Sequence, residues 1–211
     1  MTLARRTESI LLLILMLLVG LAGRAAAGSA GTGFKAGWNQ ATLSGDGTGG
    51  ANVSSINGAM VAWFLRFSVG AGFAIQPEVL YSRKGVEGDT LDIRGAIKLD
   101  YVEIPVLVRY QIPIESFFTP TVYAGAAASG LINANAEATV YGETRSIGIE
   151  NRLSRFDVGV VLGVEIGVPS ARRQATIEAR YEQGLRSVDG ADPPADVKNR
   201  VFSIILGVSF M

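Results

Sequence analysis

From Phe156 to Val168 the chain alternates without a break. Phe156, Val158, Val160, Leu162, Val164, Ile166 and Val168 fall on one side, and Asp157, Gly159, Val161, Gly163, Glu165 and Gly167 on the other. Successive side chains of a strand point to opposite faces, so this period specifies a β-strand with one apolar face. The pattern returns at Ala175, Ile177, Ala179 and Tyr181 against Thr176, Glu178, Arg180 and Glu182. It returns again at Phe202, Ile204, Leu206, Val208 and Phe210 against Ser203, Ile205, Gly207 and Ser209. Val102, Ile104, Val106, Val108 and Tyr110 oppose Tyr101, Glu103, Pro105, Leu107, Arg109 and Gln111, while Phe73, Ile75, Pro77, Val79 and Tyr81 oppose Ala74, Gln76, Glu78 and Leu80. After Ala30 no stretch carries a 3.6-residue apolar stripe. Eight strands are predicted, at about 33–43, 59–68, 72–83, 98–112, 120–133, 155–168, 174–186 and 199–210. In the fifth, Ala and Gly occupy both faces, so its register cannot be read. The chain is all-β.

Long and short connections alternate. Long polar stretches follow strands one, three, five and seven (44–58, 84–97, 134–154 and 187–198), and short links follow strands two, four and six (69–71, 113–119 and 169–173). This predicts an eight-stranded antiparallel up-and-down transmembrane β-barrel with long extracellular loops and short periplasmic turns. A water-soluble barrel alternates too, with its apolar face inward. Three features favour the membrane. The polar faces are rich in Gly, Ser and Ala and the whole chain has four Lys, whereas a solvated exterior carries more charge. The apolar faces run through strands long enough for the roughly 9–11 residues of a tilted crossing. Aromatics sit near strand ends, at Trp38, Trp63, Phe67, Phe73, Tyr81, Tyr110, Tyr123, Phe156, Tyr181, Phe202 and Phe210, as interfacial girdles do. A soluble periplasmic or secreted barrel binding an apolar small ligand is the alternative.

The first residues read as a leader. Arg5 and Arg6 precede an apolar run from Ile10 to Val19, followed by the small residues Ala25-Ala26-Ala27-Gly28-Ser29-Ala30. That is the layout of a secretory signal peptide, and the run is shorter than the roughly 20 residues a spanning helix needs. Residues 1–27 are assigned to the signal and 28–211 to the barrel domain, with cleavage after Ala27 and Ala30 as the other site. Export to the bacterial outer membrane is the expected localisation.

The chain has no Cys and no His. Thiol chemistry, Cys/His zinc sites, haem ligation by His and imidazole-based triads are thereby excluded. Nineteen basic residues balance nineteen acidic ones, which argues against nucleic acid as a partner. The faces opposite the apolar ones carry Lys35, Arg66, Glu78, Glu103, Arg109, Asp157, Glu165, Glu178, Arg180 and Glu182. In a membrane barrel these ten point into the lumen. There they form a salt-bridge network that fills a narrow tube and leaves no room for substrate or an open pore. The set Val158, Val160, Leu162, Val164, Ile177, Ala179, Ile204, Leu206 and Val208 then faces lipid.

Other polar groups promise less. Asp89, Asp92 and Asp100 supply oxygens for a hard cation, but their spacing fits no EF-hand and a solvated acidic loop is the plainer reading. Gly45-Asp46-Gly47-Thr48-Gly49-Gly50 lacks the Gly-Lys-Ser/Thr of a phosphate loop. Asn57-Gly58 reads as a turn before the second strand. No catalytic residue, metal ligand or cofactor is assigned, and a rim-active hydrolase, the second alternative, lacks its usual His base. The expected function is that of a non-enzymatic outer-membrane barrel with its task in the loops, binding or envelope structure. It is expected to be a monomer contacting outer-membrane lipid and an unidentified extracellular ligand or protein.

Several segments resemble the PorT-like family of bacterial outer-membrane β-barrel proteins. They are Phe34-Lys35-Ala36-Gly37-Trp38-Asn39, the run Ile75-Gln76-Pro77-Glu78-Val79-Leu80-Tyr81-Ser82-Arg83-Lys84-Gly85, and Leu99-Asp100-Tyr101-Val102-Glu103-Ile104-Pro105-Val106-Leu107-Val108-Arg109-Tyr110. Phe156 to Gly159, Glu178-Ala179-Arg180-Tyr181 and the closing Gly207-Val208-Ser209-Phe210 join them. The resemblance spans nearly all of 28–211 and implies an outer-membrane location. It also implies a C-terminal aromatic read by the barrel-assembly machinery. Phe210 takes that role, with Met211 after it.

Overall fold

The computed structural model describes residues 30–44, 54–90, 93–140, 143–149, 153–187 and 197–210. The segment 1–27 assigned above to a signal, the Gly-rich segment at 45–50, Asp92, Met211 and most of the connection at 187–198 lie outside the described residues.

Among the described residues nine strands form one antiparallel sheet. They are β1 (Ala30–Ser44), β2 (Ser54–Gly70), β3 (Phe73–Thr90), β4 (Ile93–Gln111), β5 (Thr119–Val140), β6 (Glu143–Gly148), β7 (Phe156–Ser170), β8 (Arg173–Gly184) and β9 (Lys198–Phe210). Each barrel strand pairs with its sequence neighbours, and β1 pairs with β9 from Thr32↔Phe210 to Ser44↔Lys198. The sheet thus closes on itself as eight strands: β1 to β5, then β7 to β9. Closure removes every edge of the spanning wall, as hydrocarbon requires. The short β6 stands outside this ring, paired with the far end of β5.

The three short links lie at one end, called here the turn end. Gly70, Ala71 and Gly72 make the first with φ of 96°, 51° and 80°, a region glycine enters at little cost. The opposite, loop end differs from expectation. The polar stretch 84–97 is largely strand, because Lys84↔Leu99 to Thr90↔Ile93 continue the β3–β4 ladder. The stretch 134–154 likewise holds the end of β5 and the whole of β6. Asn57 and Gly58 are not a turn: they pair with Gln40 and Asn39 of β1, and a register shift between Ser55 and Met60 absorbs the irregularity against β3. The wall is consequently taller along β3 to β6 than along β7 to β9.

Pro120 and Pro169 lie next to strand ends, but Pro77 and Pro105 sit in mid-strand, where the missing N–H should break the ladder. The β2–β3 pairing passes from Phe64↔Glu78 to Phe67↔Ile75, skipping Pro77, and the β3–β4 pairing passes from Pro77↔Val106 to Leu80↔Glu103, skipping Pro105. Register is kept across both gaps. Each proline therefore costs one ladder bond on one side and leaves the strand in place.

The apolar faces point outward. Val160, Leu162, Val164, Ile177, Ile204 and Leu206 are exposed, with Ile177 at 51%, and Val158, Ala179 and Val208 are half-exposed. Trp38, Trp63, Phe73, Tyr181, Phe202 and Phe210 share this surface. Tyr123 departs from the girdle expected of it and points inward, because its neighbour across the β5–β7 pair is Gly163 and the ring lies in the space a side chain would fill. The inside is polar. That is the reverse of a water-soluble barrel.

Candidate functional site

The lumen is built from alternate residues of all eight barrel strands. Lys35, Glu78, Glu103, Arg109, Asp157, Glu165, Glu178, Arg180 and Glu182 are all buried there, and Arg66 is nearly so. They fall into layers. In the middle layer Lys35 of β1 lies 3.0 Å from Glu78 of β3 and 2.5 Å from Glu178 of β8. Arg180 Nη2 reaches Glu78 Oε2 at 2.9 Å and Glu178 Oε1 at 2.7 Å. The Tyr123 hydroxyl donates to Glu178 Oε1 at 2.5 Å, and the Gln76 amide donates to Glu78 Oε1 at 2.7 Å. Two cations thus meet two carboxylates, each carboxylate bridging both. A buried charge is tolerated only with such compensation.

The turn-end layer is different. Arg109 Nη2 lies 2.5 Å and Arg66 Nη2 3.7 Å from the same Glu165 Oε1. Arg66 also donates to Gln76 Oε1 at 2.8 Å and to Gln174 Oε1 at 3.3 Å. The guanidinium of Arg66 sits over the Phe64 ring and that of Arg109 over Tyr123, at 5.3 and 5.4 Å from the centroids.

In the loop-end layer Lys84 lies 3.0 Å from Glu103 and 2.6 Å from Glu182, with its ammonium 5.3 Å from the centre of the Tyr101 ring. Asn199 joins Asp157 and Tyr101 through longer bonds of 3.4 and 3.5 Å. Sequence reasoning missed Lys84, since the predicted strand ends at residue 83. Carrying the parity of Gln76, Glu78 and Ser82 two residues further would have found it. It also left out Gln76, Asn39 and Ser203, all buried, the last two joined by a hydrogen bond at 2.9 Å.

Between the charges lie small apolar groups: Met60, Ala62, Leu80 and Ile205 on one side, Leu107, Ala127 and Val161 against Tyr123 on the other. At the loop end Leu99, Tyr101 and Ala134 pack with Ile97, Leu131, Ile149 and Leu153 beneath the tall wall. Asp100 is no open cation ligand: it accepts from Arg83 at 2.8 Å, from Tyr81 at 2.9 Å and from Asn133 at 3.1 Å. Among the described residues no group of three acidic side chains converges to hold a metal.

A closed barrel of eight antiparallel strands, apolar outside and ion-paired inside, defines an outer-membrane protein. The family model for the outer membrane protein beta-barrel domain matches residues 24–190, and the chain belongs to that family. No curated protein matches it. Among solved structures it is similar to the outer membrane protein OprG from Pseudomonas aeruginosa, at 10% identity and a TM-score of 0.52, covering 87% of this chain and 96% of that one. It is similar also to a major outer membrane protein from Thermus thermophilus, at 11% identity and a TM-score of 0.51, covering 86% and 99%. Ail, the attachment invasion locus protein of Yersinia pestis, aligns at 15% identity and a TM-score of 0.48 over 86% and 99%. The chain is a protein of the bacterial outer membrane.

Proposed function

We propose that this is a non-enzymatic barrel whose lumen is closed and whose task, binding or envelope structure, is carried at the loop end. One observation carries the reading. Buried cations and carboxylates contributed by six of the eight barrel strands pair with one another across the tube, where a catalyst or channel keeps such groups for substrate or ions. The loop end is the outward-facing side in this reading, since long connections of outer-membrane barrels are extracellular and short ones periplasmic. The protein acts as a monomer in outer-membrane lipid, is inserted by the barrel-assembly machinery through Phe210, and meets an extracellular ligand or protein rather than nucleic acid. Within its family, the segments around Gln76-Pro77-Glu78 and Tyr101 to Pro105 support a place beside the PorT-like members.

Reconstitution into planar bilayers tests the closed lumen. The expected result is no steady conductance above the lipid baseline, and a sustained ohmic current through the wild type overturns it. Protease added to intact cells should cut within 45–53 or 185–197 and spare the turn-end links.

A further inference from the structure

The lumen charges are unevenly distributed along the barrel. The middle layer balances, two cations against two carboxylates. At the turn end Arg66 and Arg109 share the single Glu165, which leaves one positive charge over. At the loop end Lys84 serves both Glu103 and Glu182, and the Asp157 carboxylate held by Asn199 adds to them, which leaves this end negative.

The buried atoms without a hydrogen-bond partner in the protein lean the same way. At the turn end they include three donors, Arg66 Nη2, Arg109 Nη1 and Ser209 Oγ. At the loop end they are acceptors, Oε2 of Glu103 and Oδ1 of Asn199, with Glu103 Oε1 facing the Lys84 ammonium at 3.0 Å. Buried donors left unpaired cost roughly 1–3 kcal/mol each, more when charged, so three together beside a surplus charge call for an acceptor.

The three donors belong to the turn end of the lumen. Gln174 accepts from Arg66 Nη1 and is the register partner of Ser209 across the β8–β9 pair. Arg66 and Arg109 approach the same carboxylate oxygen. Glu165 Oε2 is also without a donor, and Arg109 directs only Nη2 at this carboxylate. Both guanidinium faces rest on rings, which leaves their in-plane N–H groups as the reactive edge.

We propose that the turn end of the lumen binds one small monovalent anion, of the chloride type, between Arg66, Arg109 and Ser209. One negative charge neutralises the layer, and three donors suit a small spherical acceptor. A phosphate dianion brings a charge too many. Arg66, with 19% of its side chain exposed, is the most exposed of these lumen cations and marks the entry from the turn end.

The test uses the purified barrel in zwitterionic detergent, with chloride replacing gluconate at constant ionic strength. Chloride-35 NMR line width and the urea unfolding midpoint are both read. Wild type should give saturable excess broadening and a midpoint that rises with chloride. Arg66→Gln and Ser209→Ala should weaken binding, the former by about tenfold or more, as loss of a charge-assisted hydrogen bond implies. Glu165→Gln raises the surplus to two positive charges and should tighten it. No saturable broadening in wild type overturns the proposal, as does unchanged binding in both Arg66→Gln and Ser209→Ala. Inorganic phosphate displacing chloride at lower concentration overturns the monovalent assignment.

Discussion

Replacing Glu178 by Gln removes one charge from the most connected group of the lumen. Glu178 takes Lys35 at 2.5 Å, Arg180 at 2.7 Å and the Tyr123 hydroxyl at 2.5 Å. The substitution keeps the shape and turns a neutral layer into one with an unbalanced positive charge. Removing one partner of a buried pair costs about 3–5 kcal/mol. Here Glu78 still holds Lys35 at 3.0 Å and Arg180 at 2.9 Å, which places the loss at the lower end, about 3 kcal/mol. With a urea slope of roughly 1–3 kcal/mol per molar, the midpoint in detergent should fall by about 1–3 M. The companion variant combines Glu178→Gln with Lys35→Met. Arg180 and Glu78 then form a neutral pair, and the lysine stem is replaced by an apolar one of similar length. The double variant should recover most of the lost stability. A double variant that loses the sum of the two single effects refutes the charge-balance reasoning, because the damage would then come from packing alone.

Three further outcomes follow from the same geometry. Arg in place of Ile177, exposed between Ile166 and Leu206, should destabilise by up to about 2–4 kcal/mol near the bilayer midplane; nitroxides at 177 and 179 should meet lipid-phase oxygen and those at 178 and 180 should not, and the opposite accessibility would sink the facing assignment. Ala in place of Gly163 puts a methyl group onto the Tyr123 hydroxyl and the Ala179 carbonyl; we expect a lower urea midpoint, largely restored by Tyr123→Phe, and an unchanged midpoint counts against the close approach. Ala in place of Phe210, whose ring lies 5.6 Å from the Arg173 guanidinium, should reduce the folded fraction on heat-modified gels more than Ala in place of Met211, and equal folding of the two disposes of the terminal-aromatic role.

How far the sequence alone could lead depended on what each stretch says about its two faces. Where one face was Val, Leu and Ile and the other Gly and Glu, as in β7 to β9, both strand and orientation could be read, because a one-residue slip would expose charge to lipid. Of the ten charged positions on those faces, nine are buried and Arg66 keeps 19% of its side chain exposed. β5 could not be read, since Ala and Gly fit either side; its orientation is set by Tyr123 over Gly163 and by pairing along β4. Beyond the bilayer the rule itself lapses. The stretches 84–90 and 134–140 carry no run of large apolar side chains on either face, so their composition resembles a loop while their backbones continue the ladder. Lys84 was lost at that boundary.

The interlocked middle layer also constrains how the barrel can form. Lys35 comes from the first strand, Glu78 from the third, and Glu178 and Arg180 from the eighth in chain order, so the lysine finds Glu178 across 143 residues. A half-zipped sheet would still hold Lys35 against Glu78 on one margin and Glu178 against Arg180 on the other, so each margin is neutral but every one of these groups lacks its second partner. The cross-links Lys35–Glu178 and Arg180–Glu78 form only when the first and last strands meet. Closure therefore completes the coordination of this layer, and an open seam in hydrocarbon leaves four charges half-compensated.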